Sequence, residues 1–353
     1  MAASMQENAV ELGFVEKAEN WRLTSPHFPS KIGGKPSWLA FSNLPCNERL
    51  QCKLCKKECI FLLQVYSPID DRDDTFHRVV FLFVCRNPSC HTHNSNEPFH
   101  AFRCQLPRRN EFYDFEPVSD DTNVNVDCEK FGIYLCQVCG CDAGSKKCSK
   151  CHKVRYCSRD HQIIHWKNGH KENCGKADGD QSVPPKVLFP EYEIVTEPEP
   201  QADNITTNQD EESETHYNLK ETRETFSTEE LESMAVKATK DDDHFQAFKD
   251  RVNLEPDQVL RYDRGKEPLW VSRHHKPSQE DIPSCQCGAP RIFEFQVMPQ
   301  LLLHLDVDKV ESSIDWGTLA VYTCEASCNH GSPYHEEFVW KQDYEIKSEA
   351  QGD

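Results

Sequence analysis

Eight residues able to ligate a metal crowd into the 39 positions from Cys136 to Cys174. They read Cys136-x2-Cys139-x8-Cys148-x2-Cys151-x5-Cys157-x3-His161-x8-His170-x3-Cys174. Thiolate and imidazole in sets of four are the donors of closed, tetrahedral structural zinc sites, so eight donors make two such sites. A segment this short has little apolar surface to bury, and metal binding would supply most of its folding free energy. Spacing alone does not say which four donors share an ion. Ser158 is placed to cap a short helix carrying His161, and His170 and Cys174 stand one helical turn apart. His165 and Cys141 fall outside the pattern and read as non-ligands.

Two further quartets are spread more widely: Cys52, Cys55, Cys85 and Cys90, and Cys285, Cys287, Cys324 and Cys328. Two ligand pairs separated by about thirty residues of strand have the layout of a zinc ribbon. Buried free thiols are the competing reading. Recurrence of the pairs in both halves of the chain favours metal. Zinc is therefore the expected cofactor, two ions in the central segment and up to two more in the flanking halves. Cys46, Cys59, Cys104 and Cys128 lack such pairing and read as structural.

The elements that carry these pairs repeat. Gly34-Lys35-Pro36-Ser37-Trp38-Leu39, the Cys52 pair and Ile60-Phe61-Leu62-Leu63-Gln64-Val65 are answered by Gly265-Lys266-Glu267-Pro268-Leu269-Trp270-Val271, the Cys285 pair and Ile292-Phe293-Glu294-Phe295-Gln296-Val297. Val79–Val84 ahead of Cys85 is answered by Leu319–Thr323 ahead of Cys324, and Phe99-His100 by Tyr334-His335. The runs are of strand length and rich in β-branched and aromatic residues. The expected fold is α+β, mostly β: two duplicated, zinc-ribbon-like halves packed into one body, because either half alone would leave open edges and a small core. The expected divisions are a first β half over 1–127, the zinc module over 136–174, an acidic disordered linker over 175–226, and a helical segment with the second β half over 227–353.

The linker is expected from Glu191–Glu214, which holds nine carboxylates and no lysine or arginine. After it, Ser227-Thr228-Glu229-Glu230 resembles a capping box. A second helical stretch carries Phe245, Phe248 and Val252 on one face and should end by Pro256. The whole chain of 353 residues has a formal charge of −19. Such a surface repels nucleic acid unless a basic patch is segregated, and attracts basic proteins. The 19 cysteines, an odd number, accompany an N-terminus with no apolar run and no stretch long enough to span a membrane. That combination points to reduced, metal-holding thiols in the cytoplasm or nucleus.

Nothing in the pattern calls for catalysis. Gly33-Gly34-Lys35-Pro36-Ser37 breaks the phosphate-loop rule at Pro36, and the quartets are closed sites with no open position. Asn329-His330 resembles a methyltransferase motif but lacks its cysteine. Nine lysines or arginines between Lys146 and Lys176 make the zinc module locally basic. Its thiolates offset part of that charge, and no helix is built to enter a groove, so peptide recognition is preferred to DNA.

The central segment, with Tyr156-Cys157-Ser158 and Trp166-x3-His170-Lys171-x2-Cys174, resembles a MYND zinc finger. That resemblance implies interleaved sites: Cys136, Cys139, Cys157 and His161 on one ion, Cys148, Cys151, His170 and Cys174 on the other. Many such fingers carry cysteine where His161 stands. Together with Leu12-Gly13-Phe14, the Gly34–Leu39 run, and Pro256-Asp257-Gln258-Val259-Leu260-Arg261-Tyr262 ahead of Pro268-Leu269-Trp270, the chain resembles the programmed cell death protein 2 family over nearly its full length. The resemblance implies a dedicated chaperone for a basic small-subunit ribosomal protein, linked to cell proliferation, stem-cell maintenance and survival. It also implies corepressor partners bound through the finger, or, as the competing reading, a nuclear regulator of transcription and apoptosis. An acidic carrier would shield a basic client, and unpaired sheet edges could take up a client segment as an added strand.

Overall fold

The apolar runs of both halves become strands in which almost every position is buried. The computed structural model describes residues 9–119, 123–124, 126–176, 187–200, 243–307 and 314–344. Its strands are β1 (Glu11–Glu16), β2 (Lys31–Ile32), β3 (Ile60–Tyr66), β4 (His77–Val84), β5 (Phe99–Leu106), β6 (Tyr192–Pro198), β7 (Leu260–Tyr262), β8 (Arg291–Val297), β9 (Thr318–Cys324) and β10 (Tyr334–Gln342). They form one closed antiparallel barrel in the order β1-β6-β2-β3-β4-β5-β10-β9-β8-β7, with β7 returning to β1. The fold is thus mostly β, with the finger and few helices added.

Two three-stranded meanders supply most of the wall. In the first, β3 pairs with β4 and the register slips between Phe61 and Leu63; in the second, β8 pairs with β9 and slips between Phe293 and Phe295. Each bulge sits at the second to fourth residue of the Ile-Phe-x-x-Gln-Val run. Gln64 accepts the Ser37 N–H at 2.9 Å, and Gln296 accepts the Leu269 N–H at 2.5 Å, so each glutamine holds the residue before a tryptophan. The meanders meet where β5 pairs with β10, Tyr334 opposite Cys104 and Glu337 opposite Ala101.

Inward residues from around the wall, among them Ile32, Leu63, Leu82, Ile194, Leu260, Phe295, Leu319 and Val339, share one apolar cluster. The outer face of the first meander is also covered. Phe61, Phe81, Phe83 and Phe102 pack with Trp38–Phe41 and with Val138 and Tyr156 of the finger. On the second meander Phe293, Tyr322 and Trp340 lie under Ile282 and Trp270. Burial on both faces is why these strands read as unbroken apolar runs instead of alternating ones.

Gly13 has a packing reason. β1 is wedged between β6 and β7, and a Cβ there would stand 2.8 Å from Ile194 Cγ2 and 2.9 Å from Leu260 Cβ. Further helices are α1 (Arg159–His165), α2 (Lys171–Asn173) and α3 (Asp243–Val252). In α3, Phe248 and Val252 are buried and Phe245 packs beside them, in the expected 245–252 pattern.

Two expectations need correction. Closure gives every strand of the described barrel a neighbour on both sides, so no free edge is offered to a client strand. Part of the expected disordered linker is wall: Tyr192–Pro198 is β6, paired to both β1 and β2. The charge run misled because its counter-charges lie far away in sequence. Glu191 bonds the buried Lys31, Glu193 meets Arg22, and Glu199 meets Arg251 and Arg261. Residues 177–186 and 201–242, including the Ser227–Glu230 stretch, lie outside the described residues.

Candidate metal centres

Four cysteine-containing turns initiate the four quartets, and they share one local geometry. The carbonyl of the first cysteine accepts the N–H of a residue three or four positions on: Lys56 to Cys52, Gly140 to Cys136 and His152 to Cys148, with Gly288 to Cys285. Each of those four residues is left-handed, at φ of 60°, 71°, 55° and 89° respectively. The first cysteine's own N–H closes the turn on a carbonyl beyond it, as from Cys52 to Lys57 and from Cys285 to Ala289. Such turns aim both sulfurs toward one point.

The structure brings the donors together in four groups: Cys52, Cys55, Cys85 and Cys90; Cys136, Cys139, Cys157 and His161; Cys148, Cys151, His170 and Cys174; and Cys285, Cys287, Cys324 and Cys328. Within each group all ligand atoms lie within 4.8 Å of one another. Measured separations include 3.6 Å for Cys55–Cys85 and Cys139–Cys157, 3.5 Å for Cys285–Cys328 and 3.9 Å for Cys148–Cys174. A tetrahedron built on bonds of about 2.3 Å has edges of roughly 3.8 Å, so the donor sets fit zinc in both chemistry and size. All four corners are protein, which leaves no vertex for water or substrate.

In the finger, Ser158 Oγ accepts the His161 N–H at 3.2 Å and starts α1. His161 presents Nδ1 to Cys157 at 3.0 Å. The helix then breaks at Asn168 and Gly169, the latter at φ 115°, so His170 leaves on a different axis. Its Nε2 lies 3.4 Å from Cys148 and 3.6 Å from Cys151. The two groups thus interleave along the chain, Cys157 and His161 joining the first pair and His170 and Cys174 the second. His165 joins neither group; it stacks on His170 at 4.8 Å and meets the Tyr156 hydroxyl at 2.8 Å, which orients the ligand ring. Cys141 is likewise outside.

Each quartet contains one thiol held below its ordinary value. Burial would raise Cys148, but the N–H groups of Cys151 and Lys150 and the His170 ring outweigh it and bring it to about 6. Burial likewise opposes Cys55, where the Lys57 N–H and the neighbouring thiols prevail and hold it at about 7. The Ala289 N–H brings Cys287 to about 7, and bonds from Cys139 and Cys157 depress Cys136. A thiol lowered in this way gives up its proton to a cation more readily. Cys104, by contrast, is pushed up to about 12 by burial.

Sequence reading did not find the basic residues behind the second-half quartet. Arg103 of β5 donates to the Cys328 carbonyl at 3.0 Å and lies 3.8 Å from its sulfur. It also pairs with Glu337, which in turn meets Arg291. A four-thiolate zinc site carries a net negative charge, and a buried guanidinium offsets it. Only the fold could reveal a partner 225 positions away.

The finger is not a free appendage. Trp38 Nε1 donates to the Gly140 carbonyl at 2.7 Å, and Cys136, Val138, Cys157 and Tyr156 belong to the same apolar cluster as the outer face of β3–β5.

The family model described as "Programmed cell death protein 2, N-terminal domain" matches residues 9–120, "Programmed cell death protein 2, C-terminal putative domain" matches 242–343, and "MYND finger" matches 136–174. Programmed cell death protein 2 of Bos taurus is 49% identical over 97% of this chain and 98% of its own. Programmed cell death protein 2-like of Homo sapiens is 27% identical over 89% and 90%. A protein of Schizosaccharomyces pombe named "Probable 20S rRNA accumulation protein 4" is 25% identical over 90% and 92%. No solved structure matches the chain.

Proposed function

The chain belongs to the programmed cell death protein 2 family, and on that premise we propose that it is a zinc-held, non-catalytic carrier for a basic small-subunit ribosomal protein during ribosome assembly. The observation that carries this reading is the formal charge of −19 over the chain as a whole. Ribosomal proteins are cationic because they meet RNA, and an acidic carrier attracts and screens them before they do. The S. pombe relative's name, which concerns ribosomal RNA, supports the same direction. Work at two stages, synthesis and assembly, would place the protein in both cytoplasm and nucleus.

Four closed quartets support a structural role for zinc, with four ions per chain. The matching bulges, glutamine clamps and cysteine turns support descent of the two meanders from one duplicated unit. The finger is the site for short peptides of other partners, corepressors among them. Its basic residues favour, as a second reading, a nuclear regulator that contacts DNA or corepressors.

Affinity purification of the full chain from cells, with bound proteins identified and zinc counted, tests the first reading. A small-subunit ribosomal protein bound in stoichiometric amount is expected. Recovery of corepressors without it, together with DNA-fragment binding that survives physiological salt, would favour the second.

A further inference from the structure

At the end of the first meander opposite its cysteine quartet lies a cavity of about 360 Å³ whose wall combines the rings of Phe28, Tyr66, Phe76, Phe112, Tyr113 and Phe115 with valines and a few charged side chains. The rings are fixed by one another. Phe28 stacks on His77 at 4.1 Å and meets Tyr113 edge-on at 4.8 Å. The hydroxyls are already used, Tyr113 donating to the Leu39 carbonyl at 2.7 Å and Tyr66 meeting His77 Nδ1 at 3.1 Å. What the cavity offers is therefore aromatic faces.

At its mouth two phenylalanines stand in solvent, Phe76 at 39% and Phe115 at 53% exposure. Arg108 lies over both, 3.9 Å from the Phe115 ring centre and 5.2 Å from that of Phe76. The ring pair thus already receives a guanidinium from the chain itself. Around it the surface is acidic: positions 70–74 and 108–116 hold seven carboxylates against three arginines. Asp114 and Glu116 line the cavity directly, and Asp70 is close enough to raise Tyr66 after burial does so. His77 is held down to about 4 by burial and by Arg108, so it contributes a neutral ring.

We propose that this aromatic mouth with its acidic lips is a docking site for an extended, arginine-bearing segment of a partner protein, one guanidinium stacking at the Phe76–Phe115 pair and its neighbours meeting Asp114, Glu116 and Asp70. The assignment rests on the carrier reading above and gives it a place on the surface. Cations bind the faces of aromatic rings, and carboxylates at the rim add attraction and on-rate. The same carboxylates repel nucleic acid and the chain's own acidic 201–214 stretch. Arg108 is the internal place-holder.

The test uses the full chain and a labelled short peptide alternating arginine and alanine, with citrulline replacing arginine as the neutral control. Wild type should bind the arginine peptide and not the citrulline one. Phe115→Ala should weaken binding up to about fivefold, as loss of one exposed cation–aromatic contact implies, and Asp114→Asn with Glu116→Gln should weaken it by a similar factor through lost charge attraction at the rim. Arg108→Ala should tighten it. Asp114, Phe115 and Glu116 are exposed and Arg108 is half-buried, so an unchanged melting temperature in each variant will verify folding. Equal affinity across the variants, or equal binding of the citrulline peptide, overturns the site whatever co-purifies from cells. If instead the peptide results hold but no ribosomal protein co-purifies, the carrier reading fails and the cationic-peptide site stands.

Discussion

Arg78 and Glu294 lie 216 positions apart and meet as a two-pronged pair inside the barrel, at 2.6 and 2.8 Å, with neither side chain exposed. Arg78 belongs to the first meander and Glu294 to the bulge of the second. Thr323, Tyr262 and Arg264 complete the carboxylate's shell. Burial alone would raise Glu294, but the Arg78 charge and hydrogen bonds, followed by Arg264, hold it at about 2.

Removing one partner strands the other in the interior. Glu294→Ala should therefore destabilise the chain by about 3–5 kcal/mol in urea titration. Replacing both groups by apolar residues should cost far less. For pH the folded value lies below the unfolded one, so this carboxylate contributes its full stability above the unfolded pKa. That contribution fades as pH falls from near 4 towards about 2. Wild type should lose stability more steeply than Glu294→Gln across that window, and parallel curves would remove the pair from the account.

Metal occupancy can be read from thiol chemistry. Fourteen of the 19 cysteines lie in the quartets, and of the other five Cys59, Cys104 and Cys141 are buried. With zinc bound, a thiol reagent should label Cys46 and Cys128 first. After chelation, the exposed Cys287 should join them early. Cys285→Ser and Cys52→Ser should each lower the zinc count by about one ion, the loss of a closed four-ligand site. If both variants keep the wild-type count, the ions are confined to the finger.

Close packing at β1 sets a third expectation. Gly13→Ala places a methyl 2.8 Å from Ile194 and 2.9 Å from Leu260, both within the barrel core. Overpacking of this kind costs about 1–3 kcal/mol. Because β1 closes the barrel between β6 and β7, amide exchange in β6 should accelerate with it. A neutral melting temperature would mean that the wall yields there.

Legibility in the sequence followed the range of the interactions. Ligand pairs are local, since Cys136 and Cys139 share one turn, and all sixteen donors could be named from spacing. The six meander strands announce themselves by runs such as Ile60–Tyr66. Closure did not, because β2 and β7 have only two and three residues and β6 hides in a charge run. What exposes β6 is the Tyr192–Ile194 alternation, and only Lys31, 160 positions away, explains why Glu191 is tolerated. The aromatic cavity is assembled from residues 26 to 126 and has no periodic signal at all.

The cysteine turns make the last expectation the most specific. Where Gly140 and Gly288 occupy the left-handed corner of two turns, Lys56 and His152 occupy it in the others, at φ of 60° and 55°. A side chain in that region crowds the following carbonyl and costs roughly 1–2 kcal/mol, whereas glycine does not. Glycine also gains freedom when unfolded, which returns part of the benefit, so Lys56→Gly and His152→Gly should each stabilise by about 0.5–1 kcal/mol. Lys56→Val should do the reverse, since a β-branched residue suits that corner least. Thermal melts at saturating zinc and again in chelator distinguish backbone strain from a metal effect. A gain confined to the zinc-bound protein would show that the corner is imposed by the ion, and a loss in both conditions would mean that the Lys56 side chain supports the turn.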